Sequence, residues 1–305
     1  MSKHDSPIRN AQGQTADVAK YYDAVAENYF QQYQHDNLAS GEKYPQNYYR
    51  LQMLVQRMAA SGVRSVYEVG TGEGTPMAIM ARMGYAVAGC DVSEKMVECT
   101  RQRLQEAHVD PARVQWGDIQ DSLTIANQLA YGPFDAVIAL GVMPHVANDA
   151  LALRNIRMFL KRGGKVFVEF RNKLFSLFTF NRYTKEFILD DLLAGVSGDV
   201  KAEVAQELDR RLALDQPPLR VSERSGVSYD TIRSRFHNPF EVADLFEREG
   251  FTGIRLHWYH YHPAPPMLES RIKQRFWEEA SRLEHTSSWR SYFLCSAFVI
   301  EAEVP

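Results

Sequence analysis

The stretch Val66-Tyr67-Glu68-Val69-Gly70-Thr71-Gly72-Glu73-Gly74-Thr75 decides how the chain is read. The run SVYEVG (65–70) has strand length and is mostly apolar, and glycines at 70, 72 and 74 end it. Glycine adopts positive φ without a Cβ clash, so this spacing predicts a tight turn whose backbone can come up against a ligand. Thr75 and Pro76 then read as the cap and first residue of a helix reaching Met83. Outward from this unit, AVAGCDV (86–92), VQWGDI (114–119), FDAVIAL (134–140) and KVFVEF (165–170) repeat the strand signal. Helical stretches fall between them, at about Glu94–Ala107 and about Asn148–Leu160. Strand and helix alternating in this way predict an α/β fold: a doubly wound, mostly parallel sheet with helices on both faces.

The flanks extend that sheet. Val18, Tyr21, Tyr22, Val25 and Tyr29 recur at helical steps, and a second helix is expected from about Asn47 to Ala60, after Pro45. GIRLHWYHYH (253–262) and SYFLCSAFVIEAE (291–303) read as two late strands, and Asn238 as the cap of a helix Pro239–Glu249. Residues 171–237 are too long for a simple crossover and carry their own helical period, through Phe187, Leu189, Leu192, Leu193 and then Val204, Leu208, Leu212. The expected organisation is a flexible leader (1–14), N-terminal helices over a ligand (15–60), a ligand-binding core (61–170), a helical cap inserted above the crevice (171–237) and completion of the sheet (238–305).

Composition narrows the partners. The chain has 305 residues and a net charge of −3 from 35 basic and 38 acidic side chains, with the basic ones scattered, so nucleic acid is not an expected partner. Three cysteines without a CxxC pair suggest reduced thiols, with Cys90 and Cys295 as core residues. No apolar run reaches the roughly 20 residues needed to span a bilayer, and the polar first twenty residues lack a signal-peptide core. A cytoplasmic protein without a membrane partner is expected; oligomeric state is left open.

Asp91 ends the second strand, 21 positions after Gly70, where an acid can accept hydrogen bonds from ribose hydroxyls. A dinucleotide would want a third glycine at position 75, where Thr75 stands, and its pyrophosphate would meet Glu68 and Glu73. S-adenosylmethionine carries no phosphate but an ammonium and a sulfonium, which suit acidic neighbours.

On these residues the chain resembles the class I S-adenosylmethionine-dependent methyltransferases, over about 15–170 and more weakly over 238–303. EVGTGEG resembles the family's glycine loop, which implies that Gly70, Gly72 and Gly74 lie along the methionine moiety, that Glu68 steers the loop or binds the amino group indirectly, and that Thr71 belongs to the cofactor site. Asp91, with Val92 and Met96 after it, resembles the ribose site; Gly117-Asp118-Ile119 resembles the segment whose acid meets the adenine amino group. FDAVIALGVMPHV resembles the fourth-strand motif lining cofactor and acceptor, which brings in Leu140, Gly141 and Val142. The resemblance also implies a last strand antiparallel to the rest, and a leading helix (YYDAVAENYF) from which Tyr22 and Tyr29 could face the sulfonium.

Methyl transfer needs alignment and exclusion of water, and a hydroxyl acceptor also needs a base. His145, just past the fourth strand, is the candidate base; otherwise it caps the next helix or packs under the cap. Arg171 and Asn172 follow the fifth strand and either hold an acceptor or tie down the insertion, with Glu169 one step inside. Phe175, Phe178 and Tyr183 are aromatic candidates for acceptor contact or for packing within the cap. His257, His260 and His262 lack an accompanying acid or thiol, so no metal is expected; His260 is a candidate for the acceptor pocket. Arg233, Arg235 and His237 are further candidates for a charged acceptor. The expected activity is methyl transfer from S-adenosylmethionine to a small-molecule or glycan acceptor, at oxygen. The alternatives are a small-molecule N-methyltransferase, a nucleic-acid methyltransferase, a non-catalytic cofactor-binding module and a nicotinamide-dependent oxidoreductase.

Overall fold

A computed structural model describes residues 7–25 (backbone alone for 7–14 and 25), 33, 44–212 and 234–305. Seven strands form one sheet: β1 (Ser65–Val69), β2 (Ala86–Asp91), β3 (Val114–Trp116), β4 (Phe134–Ala139), β5 (Leu160–Arg171), β6 (Thr252–Tyr261) and β7 (Cys295–Glu303). Their spatial order is β3-β2-β1-β4-β5-β7-β6. β1 to β5 pair in parallel, whereas β7 lies antiparallel between β5 and β6, with Phe170 opposite Phe298. The order reverses between β1 and β4, which leaves a crevice at their carboxyl ends.

The strands are apolar because both faces are covered. On one face Val66, Ile138 and Phe167 meet Leu54 and Met58 of the helix Gln46–Ala60. On the other, Tyr67, Val137 and Val168 meet Leu153, Ile156 and Phe246. Each large apolar side chain fully buried there contributes about 1.5–3 kcal/mol of transfer free energy. In chain order the helices that matter below are α1 (Pro7–Val25), α2 (Gln46–Ala60), α3 (Thr75–Arg82), α4 (Glu94–Glu106) and α5 (Asp149–Arg157). The cap is helical at Arg182–Glu186 and Gly198–Arg211 and roots beside β7, where Asn172 Nδ2 donates to the carbonyls of Tyr292 (2.7 Å) and Cys295 (2.8 Å).

Local details differ from the sequence reading. α1 begins at Pro7, inside the expected flexible leader; proline at a helix start forfeits no hydrogen bond. Gly74, not Thr75, is the cap residue of α3: its φ of 88° turns the chain into the helix, and Thr75 is the first helical residue. Ser291–Leu294 forms a helical turn rather than the start of β7. Among the described residues no helix is long and apolar enough to cross a membrane.

Candidate functional site

At the end of β1 the backbone amides of Gly70 and Thr71 donate to the Cys90 carbonyl, at 2.7 and 3.2 Å, which ties the glycine loop to β2. Gly70 has φ 73° and sits so close to the loop after β4 that a Cβ would lie 2.4 Å from Val142 Cγ2. Asp91 is held as a hub: Oδ2 accepts from Gly72 N at 2.8 Å and Oδ1 from Ser93 N at 2.9 Å. Ser93 Oγ in turn caps α4 by accepting from Met96 N at 3.0 Å. These loops enclose an open cavity of about 880 Å³.

Its walls are acidic, with one guanidinium among the described lining residues. Glu68 is 2% exposed, burial pushes its carboxyl well above the usual range, and nearby Arg50 pulls it back down. Glu68 Oε2 is buried without a hydrogen-bond partner among the described residues, an acceptor aimed at no donor of theirs. Burial likewise raises Asp91 to about 6, against the lowering effect of the Ser93 and Gly72 amides. Asp118 accepts from Gln120 N (2.9 Å) and from Thr15 Oγ1 of α1 (3.2 Å). This donor and acceptor set fits S-adenosylmethionine: acceptors for its hydroxyls and ammonium, and a cation for its carboxylate.

α1 closes one side. Tyr22 Oη lies 3.0 Å from His145 Nε2, with the rings edge to face at 5.6 Å, and Ser93 Oγ donates to Asp23. His145 stands on a single turn, Met143–His145, directly after β4.

Of the residues singled out from sequence, Tyr22, Glu68, Gly70, Thr71, Gly72, Asp91, Val92 and Met96 line this cavity. So do Gly117, Asp118, Ile119, Leu140, Gly141, Val142 and His145. Gly74 does not; its place is set by packing, since a Cβ there would lie 2.7 Å from Thr100 Cα. Tyr29 and Arg233 lie outside the described residues. None of the acceptor candidates among the described residues lines the cavity. Arg171 donates to Ser234 Oγ and buried Asn172 binds backbone carbonyls, so both tie the cap to the sheet. Glu169 accepts from Arg50 and from Tyr259 Oη inside the core. Phe178 packs against Phe175 and Phe180, and Tyr183 against Phe236. Arg235 pairs with Asp149. The β6 histidines face different partners: His257 binds Glu301 (2.8 Å), whereas His260 stacks on Tyr44 and binds Ser296 Oγ (2.6 Å).

Sequence reasoning missed Thr15, Val18, Tyr33, Arg50 and Gln120, which also line the cavity. Thr15, Val18 and Tyr22 follow one another at three and four residues, so the helical period carried that signal. Arg50 had no local signal; it reaches the site because α2 packs across the sheet.

Residues 67–168, from β1 to β5, match the family described as a methyltransferase domain. The ubiquinone biosynthesis O-methyltransferase of Caulobacter vibrioides is 29% identical over 175 residues, 56% of this chain and 66% of that protein, just under two thirds of its length. Its counterpart in Coxiella burnetii is 23% identical over 194 residues, 64% of this chain and 79% of the relative. Among solved structures, magnesium protoporphyrin IX methyltransferase from Synechocystis with bound S-adenosylhomocysteine superposes with a TM-score of 0.52 at 16% identity, covering 96% of this chain and all of that one. A phosphoethanolamine N-methyltransferase of Haemonchus contortus, also with S-adenosylhomocysteine, gives 0.51 at 15% identity, over 95% of this chain and 60% of that one. The sheet order, the glycine loop tied to Asp91 and the match from β1 to β5 agree with one another: residues 67–168 form a methyltransferase domain, set in a sheet with the fold of the class I S-adenosylmethionine-dependent methyltransferases.

Proposed function

We propose that the chain transfers a methyl group from S-adenosylmethionine to the hydroxyl of a small phenolic molecule. The observation that carries this reading is the Tyr22–His145 pair, 3.0 Å apart at the cavity wall beyond the glycine loop. Asp91 receives the ribose hydroxyls, Asp118 the adenine amino group, Glu68 the ammonium and Arg50 the carboxylate of the methionine tail. The bound cofactor supplies a methyl group activated by the positive charge on sulfur. With the imidazole hydrogen on Nδ1, His145 Nε2 accepts from Tyr22 Oη in the resting site. An entering hydroxyl takes the tyrosine's place, and Nε2 receives its proton as the oxygen becomes a nucleophile. α1 keeps water out by bridging Thr15 to Asp118 and Asp23 to Ser93 across the nucleoside end.

A phenol suits this base better than a sugar. Phenolic hydroxyls ionise near 10, within a few units of a histidine, whereas sugar hydroxyls are far weaker acids. The names of the Caulobacter and Coxiella relatives support oxygen over nitrogen. The test is transfer of labelled methyl groups to matched panels of phenols, sugars and amines. Label is expected on phenols; label confined to amines or sugars overturns the assignment.

A further inference from the structure

We propose that Glu169 and Tyr259 are positioning residues that hold Arg50 in the cavity wall and thereby make the site select ligands with a carboxylate at the tail; this rests on the cofactor placement just given. The buried part of β5 runs Val166-Phe167-Val168-Glu169-Phe170, one charge among apolar residues. By the strand's period of two, Glu169 faces the same side as Phe167, the side covered by α2. There one carboxylate oxygen accepts from Arg50 Nη1 and the other from Tyr259 Oη of β6. Arg50 Nη2 donates to Tyr33 Oη at 3.3 Å, so the guanidinium is gripped from two directions while it lines the cavity.

Three observations argue for positioning rather than for stability alone. Glu169 and Arg50 are 6% and 5% exposed, and a pair so deeply buried recovers little more than its own desolvation. Apolar residues would fill the same volume at no electrostatic cost. Arginine also has large rotamer freedom, and an arginine fixed before the ligand arrives does not lose that freedom on binding. Finally, Arg50 is the cation whose charge acts on Glu68 across the cavity, so its place sets the polarity of the ligand's tail end.

The experiment is titration calorimetry on the full chain with two probes. S-adenosylhomocysteine carries the amino-acid tail; 5′-deoxy-5′-methylthioadenosine shares the thionucleoside and lacks it. For Glu169→Gln, affinity for the first is expected to fall about 10-fold or more, and for the second less than about 2-fold. Tyr259→Phe, which keeps the ring and its packing, is expected to weaken the first about 3-fold and spare the second. Equal weakening of both probes, or none, in the folded Tyr259→Phe protein overturns the proposal whatever the fate of Glu169→Gln. If the wild-type protein binds neither probe, the cofactor placement itself falls.

Discussion

Gly70→Ala tests the geometry on which the cofactor site depends. At φ 73° an alanine is strained by about 1–2 kcal/mol. Its Cβ would also lie 2.4 Å from Val142 Cγ2, in a loop that itself bounds the cavity, and such overpacking costs about 1–3 kcal/mol. Together these predict a loss of about 2–5 kcal/mol, or a fall in melting temperature of about 3–8 °C for a chain of this size. Val142→Ala removes the overlap but not the strain. The double variant should therefore regain the overpacking part, giving a coupling of about 1–3 kcal/mol in a mutant cycle. The assay is thermal and urea unfolding by circular dichroism, with and without S-adenosylhomocysteine. A Gly70→Ala protein that melts with the wild type, or additive effects within about 0.5 kcal/mol, would refute the close approach of the two loops.

The remaining predictions concern charge and proton transfer. Because Asp91 titrates near 6 in the ligand-free fold and must be ionised to accept from ribose, affinity for S-adenosylhomocysteine should strengthen as pH rises through about 6. Asp91→Asn should lose about 1–3 kcal/mol of binding and that inflection with it; an unchanged pH profile in calorimetry counts against the role. For folding the sign is opposite: the raised carboxyl favours the folded state most below its ordinary value of 3.8, and this contribution is lost as pH rises through about 6. His145→Ala should lower kcat about 100-fold or more while affinity for S-adenosylhomocysteine stays within about 3-fold, and wild-type turnover would reduce the histidine to packing. Tyr22→Phe should shift the acid limb of the kcat profile by removing the hydroxyl at 3.0 Å from Nε2; identical profiles would dismiss the pair.

The parts of the molecule that sequence made legible are those whose physics is local. A strand covered on both faces must be apolar throughout, so β1, β2 and β4 stand out as short runs. The bend after Val69 needs positive φ, so its glycines stand out too. Asp91 was readable because its partner amide belongs to Gly72, in the loop beside it. Arg50 was not, because its contact with Glu169 joins residues 119 positions apart; Glu169 stood out as a charge in the strand, but without its partner. The described acceptor candidates stand away from the cavity lining for a related reason. Standing at a strand's carboxyl end fixes the rim of the sheet but not the direction of the side chain, and Asn172 turns to the carbonyls of Tyr292 and Cys295 rather than to the cavity. At Ser291–Leu294, apolar residues too few to define a period settled as a helical turn.

The position of β7 bears on how the chain acquires its shape. β1 to β5 emerge first during synthesis, yet β5 has only one neighbour until residues 295–303 arrive, and β6 has none. Two edges with unsatisfied amides and carbonyls therefore wait on nine late residues to slide between them. A nascent chain halted shortly before Cys295 would carry its cofactor loops beside an open seam, and that seam is where it would stick to another copy or recruit a chaperone.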